Sequence, residues 1–379
     1  MDAYYIDIIQ DEHRFHQIKN EWDALINKDP KATLFQLWNW KYTVWTYTKT
    51  LKDQLNIVLV YSQAENGKIL CGIFPFCMIK HYFFGLKIRV LEFIGNRFSD
   101  FERGIVDPKH DTGVHRTLAD WISTQKPCYD LLDMNHLYWN QEELDRFYKK
   151  FDENNNMKIQ KVSVSPYLIL NSAKSLFDHL SDSGFLKYMK RKIRKLGKDF
   201  SFEFKTLQDK KDLKRYFPVL IRLNRMRSQD KLQKGVFRNE RAITMFRAIA
   251  EEFLGRDMLR FHILLLNREP VACLFNFQWK QKEYFYQSGI DLAYRKYSVG
   301  HLCHYLAIER ALQTGCKEYD FLNGAETYKS QWTQNSRDIH RLQFVSSPYK
   351  TRWFQVYESV RHSFYDNRFL KQIYFTFKH

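Results

Sequence analysis

The chain is poor in the residues that usually punctuate or staple a fold. Fourteen glycines and eight prolines in 379 residues leave no room for a collagen-like repeat or a long low-complexity segment. The six cysteines, at positions 71, 77, 128, 273, 303 and 316, form no CxxC pair and follow no regular spacing. Neither a disulfide framework nor a zinc site is therefore expected, and all six read as reduced core residues of a reducing compartment. No apolar run approaches the roughly 18 residues of a membrane span. The opening MDAYYIDIIQDEHR lacks a basic start followed by a hydrophobic stretch, which makes the cytoplasm the default expectation. Negative charge is also scarce. Against 60 Lys and Arg stand 43 Asp and Glu, and the resulting net charge of +17 suits an anionic partner.

Apolar mass, by contrast, is plentiful: 44% of the residues are hydrophobic and 17% aromatic, enough for packed cores. At about 150 residues per domain the length predicts two domains. Periodicity in the first half predicts a strand near 4–9, a helix near 12–28 with Phe15, Ile18, Trp22 and Leu25 on one face, and an aromatic helix near 36–48. A hairpin follows, NIVLVYS turning at Glu65-Asn66-Gly67 into ILCGIFPFCMI, then the strand LKIRVLEFIG. Helix 112–125, strand 129–134, helix 141–154 and a strand over 157–170 complete this half. The second half runs the same programme: helices near 184–198, 210–228 and 239–254, a hairpin of MLRFHILLL and VACLFNFQW, the strand EYFYQSGID, a helix over 299–314 and the strand KEYDFL.

Short matches support a duplication. CGIFPF aligns without a gap on ACLFNF, each with its turn asparagine, Asn66 or Asn267, at the same distance upstream, and YDLL matches YDFL. The expected fold class is α/β (α+β), two homologous lobes of mixed sheet flanked by helices. The boundaries expected are 1–168 for the first lobe, 169–345 for the second and 346–379 for a basic, aromatic tail that docks on the second lobe. In each lobe a strand, a crossover helix and a parallel neighbour meet, and the crevice at such a meeting is where ligands are expected.

The loop after Asp291 carries the strongest signal. In YRKYSVGHLCHYL, Ser298 is a candidate N-cap, Gly300 permits close approach, and the helix beyond is amphipathic. Free amides at a helix start with Arg295 and Lys296 alongside suit a pyrophosphate; equally, the same residues make a capped helix with two solvated bases. This segment resembles the acyl-CoA-binding core of the GNAT acyltransferase superfamily, whose loop reads Q/RxxGxG/A, with Ser298 in place of the first glycine. SGID, YRKYSVG and YDFLNGAETYKSQW together are similar to the CelD/BcsL-like acetyltransferase family linked to cellulose and exopolysaccharide synthesis. The likeness extends through WDAL, FSDFERGIV and the basic helix before 200. Val299 stands where that family commonly has proline.

The resemblance implies tandem GNAT-like acyl-CoA N-acyltransferase folds, with acetyl-CoA or another acyl-CoA as co-substrate and no metal. It implies an acceptor amine or hydroxyl on a sugar or envelope-polysaccharide precursor. It places the oxyanion donor on the backbone near Ser288, Gly289 and Ile290, the cofactor cradle at Arg295, Lys296, Ser298, Val299, Gly300 and His301, and the acid for the departing thiolate at Tyr328. Asp291 and Asp320, at strand ends, are candidate bases or acceptor ligands, or else cap a helix or pair with Arg295 or Lys329. Lys329 is a candidate contact for an anionic acceptor. His301 and His304 lie three apart but lack a third ligand at suitable spacing. The first lobe has no such loop: DPKHDTGVHR offers only Gly113 and carries Asp107 and Asp111, which would repel phosphate, and Asp100 and Glu102 are candidates for gripping an acceptor.

The segment KYMKRKIRKLGKD puts Phe185, Met189, Ile193 and Leu196 on one face and Lys187, Lys190, Arg191, Arg194, Lys195 and Lys198 on the other, a surface for an anionic partner at 187–198 or a solvated face. No helix-turn-helix, zinc-finger or RRM signature accompanies it, so nucleic acid is not expected apart from tRNA. Two other readings stand beside acyl-CoA transfer. One is an aminoacyl transferase similar to the FemABX type, drawing on aminoacyl-tRNA; the other is a non-catalytic binding module.

Overall fold

The structure, a computed structural model, describes residues 3–64, 67–83, 86–124, 128–149, 157–171, 183–230, 235–237, 239–347, 349, 352–353 and 356. The turn residues Glu65 and Asn66, the end of the helix expected over 141–154 and nearly all of the tail from 346 onward lie outside the described residues. The chain runs β1 (Tyr4–Ile9), α1 (Glu12–Gln17), α2 (Lys19–Lys28), α3 (Trp38–Thr48), β2 (Gln54–Ala64), β3 (Gly67–Phe83), β4 (Leu86–Phe93), β5 (Ile105–Val106), α4 (Asp111–Thr124), β6 (Leu131–Leu137), α5 (Gln141–Lys149) and β7 (Met157–Ile169). It continues with α6 (Ser183–Asp199), β8 (Phe202–Thr206), α7 (Lys210–Asp230), α8 (Glu240–Gly255), β9 (Leu259–Leu266), β10 (Glu269–Trp279), β11 (Lys282–Ile290), α9 (Val299–Gln313), β12 (Glu318–Asp320), α10 (Thr327–Ser330) and β13 (Ser336–Val345). No helix among the described residues is long and apolar enough to cross a membrane.

Two compact units form, one of residues 1–32, 49–161 and 340–379, the other of residues 33–48 and 162–339. In the first, β1 to β4 pair antiparallel in chain order, and β4 pairs parallel with β6 through Val90↔Leu131 and Leu91↔Leu132. Helix α4 makes the crossover, burying Val114, Leu118 and Ile122, one face of a 3.6-residue period. The second unit repeats this order: β8 to β11 are antiparallel neighbours, α9 crosses over, and β12 returns parallel to β11. Both units thus carry the succession of hairpin, strand, crossover helix and parallel strand expected from the internal matches.

The units are not contiguous in sequence. Residues 33–48 join the second because their rings pack there: Phe35 lies 6.4 Å edge-on to Tyr284, and Trp40 meets Phe277 at 5.8 Å and Tyr286 at 5.6 Å. A capping box between Thr33 and Gln36 starts this segment. The position 168/169 falls inside β7, whose residues Tyr167–Ile169 pair with β12, while His340–Val345 of β13 pair with β6 in the first unit.

Two local expectations are corrected. The single helix over 12–28 is two helices, because Ile18 has ψ of 0° and ends α1 before α2 begins; Phe15 and Trp22 stay buried on either side. Five of the cysteines are buried, but Cys128 is exposed, lying at the chain's approach to β6 rather than within it.

Candidate functional site

A parting of two parallel strands makes the site. β11 and β12 are paired over only three positions, Lys282↔Glu318 to Tyr284↔Asp320. β11 runs on through Phe285–Ile290 with no strand on that side among the described residues. The chain turns away after β12 because Leu322 (φ 55°) and Gly324 (φ 126°) adopt left-handed backbone. Two predicted site residues build this turn. Asp320 is buried; its Oδ1 accepts from the Leu322 amide at 2.8 Å and from Ser165 Oγ at 2.9 Å, and its Oδ2 accepts from Arg337 at 3.0 Å. The Lys329 ammonium, also buried, donates to the carbonyls of Leu322 (3.1 Å) and Asn323 (2.9 Å) and pairs with Glu326 at 2.9 Å. Both side chains are thus committed to shaping the wall, and neither lines the cavity.

That cavity, of about 360 Å³, opens within the second unit, with Arg227, Ser288, Gly300, His301, His304 and Tyr328 prominent in its lining. Leu274, Ile290, Leu292 and Val299 supply its apolar surface, and no Asp or Glu is among the lining residues. Asp291, at the end of β11, accepts from the Ala293 amide at 3.0 Å and so caps a 3-10 turn over Leu292–Tyr297. Its carboxylate is a helix cap. Asp100 and Glu102 belong to the first unit, where Glu102 is fully buried and its main chain exchanges hydrogen bonds with His136 and Tyr138.

Arg295, Lys296, Ser298 and Gly300 lie together at the start of α9. Ser298 sits in the left-handed region (φ 58°), the conformation for which a glycine would be the ordinary choice at this place in the loop. Its hydroxyl makes no cap. Instead it hydrogen-bonds the hydroxyl of Tyr188 on α6, and Lys192 of the same helix donates to the Lys296 carbonyl at 2.6 Å. Leu302 makes the first bond of α9, to the Ser298 carbonyl, so the amides of Val299, Gly300 and His301 precede the helical ladder. A side chain at Gly300 would begin 2.6 Å from Ile290 Cδ1, which explains the absence of one. Arg295 and Lys296 are exposed beside this helix start. In the first unit the equivalent helix start already holds carboxylates, Asp107 capping the preceding turn and Asp111 opening α4, and Gly113 serves contact with the Tyr4 ring.

Helix α7 contributes residues the sequence reading missed. Asn224 donates to the Ser288 carbonyl at 2.8 Å and to Gln287 at 3.2 Å, and Arg227, one turn later, donates to the Ser288 hydroxyl. Gly289 makes this approach possible: a Cβ there would lie 2.6 Å from Leu223 Cβ. Nothing in the string RLNRMRS separates Arg227 from its solvated neighbours. Only a lone asparagine on an apolar helix face, with arginine three residues on, hinted that this face meets polar backbone.

Electrostatics keep most of these groups neutral. Burial pushes the Tyr328 hydroxyl well above its ordinary value, Glu326 adds to this and Arg227 opposes it, so the phenol holds its proton. Burial lowers His301, and burial with the nearby His301, Arg227 and Lys329 takes His304 well below the usual histidine range. The two rings stand in an aromatic cluster with Phe185, Phe285, Tyr328 and Trp332.

Comparison with known proteins agrees with this geometry. Residues 183–330 match the family model described as Acetyltransferase (GNAT) domain. No curated protein matches the chain. Among solved structures, FemX shares 10% identity and a TM-score of 0.58, covering 86% of this chain and 96% of that one. The C-terminal domain of a putative lysylphosphatidylglycerol synthetase from Agrobacterium fabrum shares 8% identity at a TM-score of 0.54, over 91% of this chain and 96% of that one. A tandem GNAT protein from the clavulanic acid biosynthesis pathway shares 9% identity at 0.50, over 91% and 99%. The chain is therefore built on tandem GNAT-like folds, and residues 183–330 are similar to the acetyltransferase (GNAT) domain.

Proposed function

We propose that the second unit transfers an acetyl or other acyl group from acyl-CoA to an amine or hydroxyl, on a sugar or envelope-polysaccharide precursor, in the cytoplasm. The observation that carries this is the continuity of one cavity from the free helix start at Val299–His301 to the unpaired edge of β11. A pyrophosphate suits the amides of α9 with the positive end of its dipole and the exposed Arg295 and Lys296. The side-chain-free Gly300 lets it come close. Bound acyl-CoA supplies a thioester whose carbonyl carbon bonds to the acceptor nitrogen or oxygen as the C–S bond breaks. Backbone amides on the open edge of β11 are the donors for negative charge gathering on the carbonyl oxygen. Tyr328, protonated and in the lining, returns a proton to the sulfur. With no carboxylate in the lining, the acceptor's own proton passes to a neutral imidazole or to a group of the substrate itself. The resemblance of DFLNG and YKSQW to the CelD/BcsL-like pattern supports the saccharide acceptor.

Calorimetric titration with acetyl-CoA and longer acyl-CoAs tests the reading. Arg295→Ala should weaken binding about tenfold, the worth of one charge-assisted phosphate contact. Heat-silent titrations with every acyl-CoA would remove the cofactor from the proposal. Arg227→Met should lower kcat/KM about tenfold through the loss of one charged hydrogen bond to Ser288, with little change in cofactor affinity, because that bond is made to β11 and not to the loop that opens α9. Steady-state kinetics with and without the substitution measure it.

A second reading is favoured by one observation. Lys187, Lys190, Arg191, Arg194, Lys195 and Lys198 are exposed on α6, the helix that touches the loop through Tyr188 and Lys192. Such a surface suits a polyanionic donor, as an aminoacyl-tRNA would be for a FemX-like transferase. Steeply salt-dependent tRNA binding without acyl-CoA binding would select it.

A further inference from the structure

A line of buried polar side chains that the proposed chemistry does not use runs from the far side of the sheet to the cavity. On β9, His262 is fully buried, with Nδ1 2.8 Å from Thr206 Oγ1 and Nε2 2.9 Å from Glu283 Oε1. The same Glu283 oxygen accepts from Asn276 Nδ2 at 2.6 Å, and that nitrogen also lies 3.1 Å from the Tyr319 hydroxyl. Tyr319 in turn lies 3.2 Å from His304 Nδ1. Every member of the line is buried, and with Thr206 at its far end five strands and a helix supply them.

The direction of each hydrogen bond can be worked out from its ends. A carboxylate only accepts, so the nitrogen of the Asn276 amide, and not its oxygen, faces Glu283. That nitrogen has two hydrogens, and its second reaches the Tyr319 oxygen. With its oxygen already accepting, Tyr319 spends its own proton on the remaining partner, His304 Nδ1. Burial and Glu283 hold the Tyr319 hydroxyl far above its ordinary value, so the proton stays on it. An imidazole that accepts at Nδ1 and is neutral carries its hydrogen on Nε2. His304 Nε2 has no protein partner among the described residues, and the ring lines the cavity.

We infer that His304 presents a neutral Nε2–H to an acceptor oxygen of the substrate in this cavity, and that Tyr319, Asn276, Glu283 and His262 are positioning residues that fix its tautomer. The donor role rests on the acyl-transfer reading; the tautomer does not. His304 is thereby unsuited to removing the acceptor's proton, and its place is to polarise the group bound there. Burial first, and then groups on several elements keep it uncharged: His301 on its own helix, Arg227 on α7, Lys329 on α10 and His262 behind the line, while the Tyr328 ring packs beside it. All of the cationic ones oppose a second proton.

Long-range proton–nitrogen NMR on full-length protein carrying 15N-histidine reads the ring directly, with His304→Gln to assign the signal. The expected result is a single tautomer protonated at Nε2 that takes up no proton near pH 6.5, where an exposed histidine titrates. Tyr319→Phe, which keeps the ring's volume, should mix the tautomers and lower kcat about tenfold while leaving acetyl-CoA affinity unchanged. A wild-type ring protonated at Nδ1, or one that titrates near pH 6.5, overturns the inference without folding being in question. An unchanged tautomer and kcat in Tyr319→Phe overturns the positioning role. If acetyl-CoA fails to bind while the Nε2–H tautomer holds, the acyl-CoA reading falls and the tautomer, with the line that fixes it, remains.

Discussion

Gly289→Ala should destabilise the second unit by about 3 kcal/mol, at the upper end of what overpacking costs, and lower its melting point by several degrees. The reason lies in what a single methyl would meet. Its carbon would fall 2.6 Å from Leu223 Cβ, 3.0 Å from Cys273 Sγ and 3.2 Å from the backbone nitrogen of Asn224. Two of these atoms are fixed to the frame of α7 and have no rotamer in which to retreat, so the helix itself must move. With it move Asn224 and Arg227, whose bonds to Ser288 hold the helix over β11. Loss of stability and of activity should therefore come together. Gly255→Ala is the control: nothing lies within 4 Å of a methyl there, at the last residue of α8, and the melting curve should stay in place or rise slightly. Equal melting points for the two variants, by circular dichroism, would mean that α7 yields to β11 more readily than this packing allows.

Glu92→Gln should do the reverse in the first unit, and only as the pH rises above the acid range. Burial, and then the neighbouring Asp133 carboxylate, push Glu92 up to about 7, against a hydrogen bond from Asn96. In the unfolded chain it titrates near the ordinary 4.5. Between those values the folded protein holds a proton that the unfolded chain has lost, so stability falls as pH rises from about 4.5 to 7 and is level beyond. The full difference is about 3 kcal/mol. Glutamine, which never ionises and still offers Asn96 an oxygen, escapes that loss. The variant should match the natural protein near pH 4 and exceed it at pH 8 by about 2 to 3 kcal/mol in denaturant unfolding. A gain of the same size at both pH values would point to packing and remove the carboxyl's charge from the account.

The order of elements was legible because both signals it rests on are local. Period-two and period-3.6 apolar patterns, with CGIFPF matching ACLFNF, give the repeated succession of strands, and the loop at Ser298 and Gly300 announces a helix start that backs on Ile290. What stayed hidden depends on partners distant in sequence. Arg227 acquires its role only when α7 lies on β11, about 60 residues later. Asp291, Asp320 and Lys329 look like chemistry in a string because carboxylates and ammonium groups at strand ends so often are. The structure commits them to a cap, a turn and a clasp, and Asp320 is held besides by the distant Ser165 and Arg337. The line to His304 was invisible for the opposite reason: Asn276 and Glu283 sit inside strands whose apolar pattern reads as ordinary core, and polar residues there signal nothing until their partners are known.

The noncontiguous second unit bears on how such a chain is inherited and how it is cut. The segment that resembles other acetyltransferase domains begins at 183 and ends at 330, yet β12 leans on Tyr167–Ile169, Asp320 takes its arginine from position 337, and the rings of Tyr284 and Tyr286 are roofed by residues 35 and 40. Similarity can be recognised over one interval while the packing that supports it extends over another. A fragment trimmed to the recognisable interval would expose an unpaired strand edge and an orphaned carboxylate, so the smallest heritable module here is not a self-sufficient one.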